Sequence, residues 1–268
     1  MNKIIALNAG HGRYTAGKRC LRILDPNQTR EWVLNDRIAD RVEKMLAGYE
    51  CQVLRLDDTT GAKDVTLLNR VTKANNAKAE VYISIHHNAG VNGGAGGGTV
   101  VFYYPSGNCK EMATKLYKDV VNETDLIGNR STPVANGQEL YELRKTTMPC
   151  FLIENGFMDS KTDVPIILKE QHAEKTAKGI VRFLVEQYSL EPKSCTRPEN
   201  VQESVRVKIT GSVQIRKGPG TNYAVASTIT SGVYTIVERC GVWGKLKSGA
   251  GWIDMSSNYC NVILYYNM

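Results

Sequence analysis

Three of the four histidines in this 268-residue chain stand just after apolar runs: His11 after IIALNAG, and the pair His86 and His87 after VYISI. Glu154 ends another such run, FLI, and Glu31 opens a segment of helical pattern. Short apolar runs read as buried strands, and ligands of open α/β sheets collect at the carboxyl ends of strands. Four polar residues so placed can converge on one cleft. Two His and one Glu form a ligand set used by catalytic zinc, which keeps a fourth position for water. Such an ion polarises an amide carbonyl and lowers the pKa of its water. A further carboxylate must then carry the proton to the leaving nitrogen. His11, Glu31 and His86 can supply the first set and Glu154 the second role. Plainer readings stand beside these. A His after a strand is often a satisfied loop residue, and a Glu at a helix start is stabilised by the helix dipole. Glu154 resists such a reading, because a carboxylate directly after three apolar residues is costly without a partner. His172, in a polar helical stretch, reads as solvated.

The elements that must position these residues follow from periodicity. Strands are expected at Ile4–Leu7, Cys51–Leu56, Val81–Ile85, Thr99–Tyr104 and Phe151–Ile153. Leu34, Ile38, Val42 and Met45 recur at helical spacing, which predicts a helix over 31–47. Further helices are marked by Leu67 to Ala74, by Met112 to Val120, and by Ile166 to Leu184. This alternation predicts an α/β catalytic domain over residues 1–190. Residues 191–204, polar with two prolines, read as a linker. Residues 205–268, with short strands and Gly-rich turns such as KGPG at 217–220, read as a small all-β barrel.

Composition narrows the functions. The hydrophobic share of 42% suits a globular protein, and no stretch reaches the roughly 18 apolar residues needed to insert in a membrane. The start, MNKIIALNAGHG, does not read as a signal peptide, so synthesis in the cytosol is expected. Of the net charge of +7, the segment from Val205 onward carries +5, which favours an anionic surface as partner. The run GGAGGG at 93–98 reads as a flexible loop. It lacks the following Lys and Ser/Thr of a phosphate cradle, and no nucleic acid is expected. The seven cysteines, Cys20, Cys51, Cys109, Cys150, Cys195, Cys240 and Cys260, show neither CxxC nor regular spacing, which suits buried thiols. Cys240 and Cys260 could approach each other.

Four segments resemble the zinc amidases called amidase type 3, the N-acetylmuramoyl-L-alanine amidases. LNAGHG at 7–12 is similar to the first metal motif and EWVLNDRIADRV at 31–42 to a Glu-headed helix. LLNRVTKANNAKAEVYISIHHNAG at 67–90 resembles the central signature, and LRKTTMPCFLIENGFMDSKTD at 143–163 the segment around a catalytic Glu. The resemblance implies a twisted, mainly parallel sheet flanked by helices, one Zn2+ per chain on His11, Glu31 and His86, and Glu154 as catalytic residue. His87 falls on a variable position and is not counted as a ligand. Asn8 stands where the family often has Asp, and Ser160 near where it often has Asn. VQIRKGPGTNYAVASTITSG at 213–232 and WGKLKSGAGWIDMSSNY at 243–259 resemble bacterial SH3-like cell-wall domains, with Tyr223, Trp243 and Trp252 as a candidate aromatic binding surface. The implied protein is a monomer that acts on peptidoglycan in the bacterial cell wall, cutting between N-acetylmuramic acid and L-alanine. A wall-binding domain without a signal peptide suggests a phage or prophage lysin released by a holin. The alternatives are a zinc peptidase cutting within the stem peptide, a non-catalytic wall-binding protein, and a cysteine peptidase, for which Cys150 lacks an evident His.

Overall fold

Ile5, Ala6, Leu7 and Ala9 are fully buried, because the strand that carries them lies inside a sheet covered on both faces. The computed structural model describes residues 3–126, 132–193, 199–221, 223–257 and 259–266. Two compact units emerge, one of Met1–Leu46 with Cys51–Ser189, the other of Ala47–Glu50 with Leu190–Met268.

The strands of the first unit are β1 (Lys3–Ala9), β2 (Cys51–Arg55), β3 (Val81–Asn88), β4 (Thr99–Tyr103), β5 (Val134–Asn136) and β6 (Cys150–Phe157). Its helices are α1 (Glu31–Leu46), α2 (Leu67–Asn76), α3 (Cys109–Val121), α4 (Tyr141–Lys145), α5 (Val164–Ile167) and α6 (Glu170–Gln187). The sheet runs β2-β1-β3-β6-β4-β5. Every neighbouring pair is parallel except β4 with β6, so the expected mainly parallel α/β sheet is present.

Strand alternation sorts the two faces. Ala6, Tyr82 and Leu152 join Ala74 of α2 and Leu143 of α4 in one buried cluster. On the opposite face the ring of Phe151 meets that of Phe183 in α6 edge to face, 5.8 Å apart. α1 buries Leu34, Ile38, Val42 and Leu46, a stripe repeating every four residues. Each such side chain contributes about 1.5–3 kcal/mol by leaving water. α6 packs on both α1 and α3. Its Gly179 permits the close approach, since a Cβ there would lie 2.5 Å from Val120 Cα.

The structure departs from the sequence reading in several places. β5 and α4 were not expected, and the last expected helix is two. Lys169, with extended φ −79° and ψ 136°, separates Ile166 of α5 from α6. His172 is 3% exposed, not solvated; its ring lies 6.3 Å from that of His87, and burial pushes its pKa down to about 4. The glycine-rich loop is held in place. Asp159 Oδ2 accepts from the backbone N–H groups of Gly90, Val91 and Asn92 at 2.7–2.9 Å, and Asp163 Oδ2 from Gly98 and Phe157. A Cβ at Gly97 would overlap the Asp163 carboxylate, so glycine serves close approach here.

The second unit is a seven-stranded antiparallel sheet of β7 (Glu199–Ile209), β8 (Val213–Arg216), β9 (Val225–Ile229), β10 (Gly232–Cys240), β11 (Trp243–Leu246), β12 (Trp252–Asp254) and β13 (Cys260–Tyr266). The order is β13-β7-β10-β11-β12-β8-β9. Val205, Val207, Ile209, Ile215, Ile236 and Ile253 form its core. The expected linker 191–204 is corrected at its end. Residues 199–204 belong to β7, where Glu199 and Asn200 pair with Arg239 and Glu238 of β10; polar side chains do not prevent backbone pairing. Part of the expected linker, 194–198 with Cys195, lies outside the described residues. Trp243 and Trp252 are 2% and 6% exposed. They form a separate buried cluster with Cys240 and Val242, on the strand face opposite Leu246 and Ile253 of the main core, and being buried they form no aromatic surface; Tyr223 is exposed. Cys240 is disulfide-bonded whereas Cys260 is a buried thiol, so these two do not pair.

Candidate metal centre

β1, β3 and β6 are adjacent and parallel, so their carboxyl ends share one edge of the sheet. His86 and Glu154 stand opposite each other in the β3–β6 register. His11 follows β1 by two residues, and Glu31 is the first residue of α1. Donor atoms of His11, Glu31 and His86 lie within 4.8 Å of one another, the one such group among the described residues. His86 Nδ1 is 3.0 Å from Glu31 Oε1, and His11 Nε2 is 3.4 Å from Glu31 Oε2. The two imidazoles are perpendicular, with centroids 5.0 Å apart.

These positions are enforced by backbone geometry. Gly10 donates its N–H to Ile85 O at 2.9 Å, which lays the His86 ring directly over Gly10; a Cβ there would fall inside the imidazole. His11 adopts φ +66°, a left-handed conformation unusual for a non-glycine residue. It is held from both sides. Arg70, 1% exposed, donates to His11 O at 3.2 Å and to Asp64 Oδ1 at 3.0 Å. Asn35 donates to Gly10 O at 3.2 Å, and its Oδ1 lies 2.8 Å from His87 Nδ1. His87 thus points away from the donor group, as expected of the strand residue after a ligand. The sequence reading did not single out Arg70 or Asn35, since neither carries a local chemical signal.

The donor chemistry fits a cation. Glu31 Oε2 and His86 Nε2 are buried without a hydrogen bond; His11 Nε2 and Lys18 Nζ approach Oε2 only to 3.4 and 3.6 Å, which leaves it open to a closer electrophile. Burial raises the Glu31 carboxyl, but the neighbouring imidazoles of His11 and His86 outweigh it and hold the group well below the usual range. Burial likewise lowers His86, and its bond to Glu31 more than compensates. Glu154 differs. Its Oε2 is buried and unpaired, and burial, only partly offset by the charge of His86, pushes its pKa up to about 7. A carboxylic acid poised near neutrality can both accept and return a proton.

The two sequence departures have physical accounts. Asn8 donates to Ser84 Oγ at 2.9 Å and to the buried Glu142 at 3.4 Å. Tyr82 also donates to Glu142. An Asp at position 8 would set two buried carboxylates side by side. Ser160 is fully buried, and its Oγ accepts from the N–H groups of Thr162 and Asp163 at 3.3 Å.

Residues 5–186 match the family described as N-acetylmuramoyl-L-alanine amidase. The chain belongs to this family. It is 29% identical to the endolysin of Bacillus phage SPP1, over 98% of this chain and 99% of that one. Among solved structures, the catalytic domain of CwlV, an N-acetylmuramoyl-L-alanine amidase from Bacillus (Paenibacillus) polymyxa, matches 70% of this chain and 98% of its own at 26% identity and TM-score 0.62. AmiC2, the amidase of Nostoc punctiforme, matches the same shares at 27% and 0.61. The amidase is a peptidoglycan hydrolase, and the bond it cuts joins N-acetylmuramic acid to L-alanine. None of its described helices is long and apolar enough to cross a membrane.

Proposed function

We propose that His11, Glu31 and His86 hold one zinc ion per chain and that Glu154 moves the proton during amide hydrolysis. The observation that carries this reading is the pair of buried donors that make no hydrogen bond, Glu31 Oε2 and His86 Nε2, converging with His11. Two His and a Glu suit zinc and leave room for water. A bound zinc ion supplies Lewis acidity to the amide carbonyl and the attacking water. Glu154 takes a proton from that water and returns it to the nitrogen of L-alanine, so the peptide leaves as a neutral amine. Arg70 and Asn35 keep His11 aimed without reaching the substrate. All these groups come from one chain, so the reading needs no second copy and is compatible with a monomer. Metal analysis of the purified protein should give about one zinc, with strong loss in His11→Ala and His86→Ala. Full retention in both variants would overturn the assignment.

The full-length match to a phage endolysin supports a lysin that reaches the wall after release from the producing cell. The second unit then serves as an SH3-like wall-binding domain, and residues 1–190 as an amidase that folds by itself. From Val205 onward the chain holds +5 of the +7 charge, and exposed charges are screened over about 8–10 Å near physiological salt. Wall binding by the domain assigned to residues 205–268 should therefore weaken as salt rises. Truncation at residue 190 should spare soluble muropeptide cleavage and reduce lysis of whole cells. Pull-down with purified walls decides it: if residues 1–190 bind as tightly as the full chain, the targeting role is wrong.

A further inference from the structure

Lys18 lies between β1 and α1, and its carbonyl accepts the N–H of Glu31 at 3.1 Å. The start of α1 therefore fixes its backbone beside the metal centre. Its Nζ is 3.6 Å from Glu31 Oε2, the oxygen that also faces His11. Lys18 is 44% exposed and His11 21%, against 1% for Glu31. These two side chains thus border the solvent side of the centre, where substrate must arrive.

A divalent cation and an ammonium compete for one carboxylate oxygen at this distance. A lysine is a compact charge on a flexible stem, and with its head exposed it is the member able to yield. Resting on the metal reading above, we propose that Lys18 neutralises Glu31 while the centre is empty and turns to the substrate once the centre is loaded. There its ammonium donates to the scissile carbonyl oxygen as negative charge develops on it. The lysine is then a catalytic residue in its own right, and donors aimed at a developing oxyanion act mainly in the transition state.

The roles predict opposite signs for two measurements. In the full-length protein without substrate, Lys18→Met should bind zinc several-fold more tightly in competition with a chromogenic chelator, because a like charge has been removed. On a soluble muropeptide its kcat should fall by about 10- to 100-fold, with KM little changed. Lys18→Arg should restore part of both. A lysine that merely braces Glu31 would instead weaken zinc binding when removed. Unchanged or weaker zinc binding by Lys18→Met overturns the competition. An unchanged kcat, or a loss confined to KM, overturns the oxyanion role. If the unsubstituted protein binds no zinc, the metal reading fails and this proposal with it. Zinc binding that is normal in the parent and indifferent to residue 18 removes only the proposal.

Discussion

Glu154→Gln should fold, keep its metal and lose about 10²–10⁴ in turnover, the usual worth of a positioned acid or base. Gln preserves the volume of the side chain and copies its neutral form. Burial disfavours a charge at this position, so an uncharged side chain of the same volume should cost little stability. It removes only the capacity to take a proton. Paired measurements of zinc content and muropeptide turnover check this. Near-normal turnover would place the proton shuttle elsewhere, whereas loss of zinc together with activity would make Glu154 part of the metal's support.

Gly10→Ala should abolish the centre with one methyl group. The added Cβ falls inside the His86 imidazole, so the ring must rotate away and release Glu31 Oε1. β1 is paired on both sides, and Gly10 lies just past its end, so the fold should survive. Disturbing the support of a ligand commonly costs about 10–100-fold in metal affinity, and expelling a ligand should cost at least that much. Zinc titration beside a thermal melt is the check. Normal zinc affinity with an unchanged melt would show that His86 has another productive rotamer.

The sequence made the centre legible because His11, His86 and Glu154 follow apolar runs and Glu31 heads a helical pattern. IIAL, VYISI and FLI are recognisable as strands without a partner in view, and their carboxyl ends are where a parallel sheet gathers ligands. What holds the ligands was not legible. Arg70 looks like any helical arginine until its helix is docked under the carbonyl of His11, and Lys18 carries no motif. The burial of His172 depends on α6 packing against the strand that bears His87. β5 has three residues and α4 five, too few to show a period. Trp243 and Trp252 lie on the strand face opposite Leu246 and Ile253 of the main core, so alternation alone could not show that both are buried. The glycines of 93–98 suggested mobility because glycine alone does not reveal the aspartates that fasten the loop.

The β3–β6 register that sets His86 opposite Glu154 also has a temporal meaning. The ribosome delivers His11, Glu31 and His86 well before Glu154, and β6 must then insert between β3 and β4. Parallel pairings between distant segments form slowly, because loop closure must precede the contacts that reward it. On the roles proposed above, a chain still being translated, or stalled before β6, carries His11, Glu31 and His86 without Glu154. Lytic capability would thus arrive only with the last-synthesised strand of the catalytic sheet, leaving an incomplete chain chemically inert inside the cell that makes it.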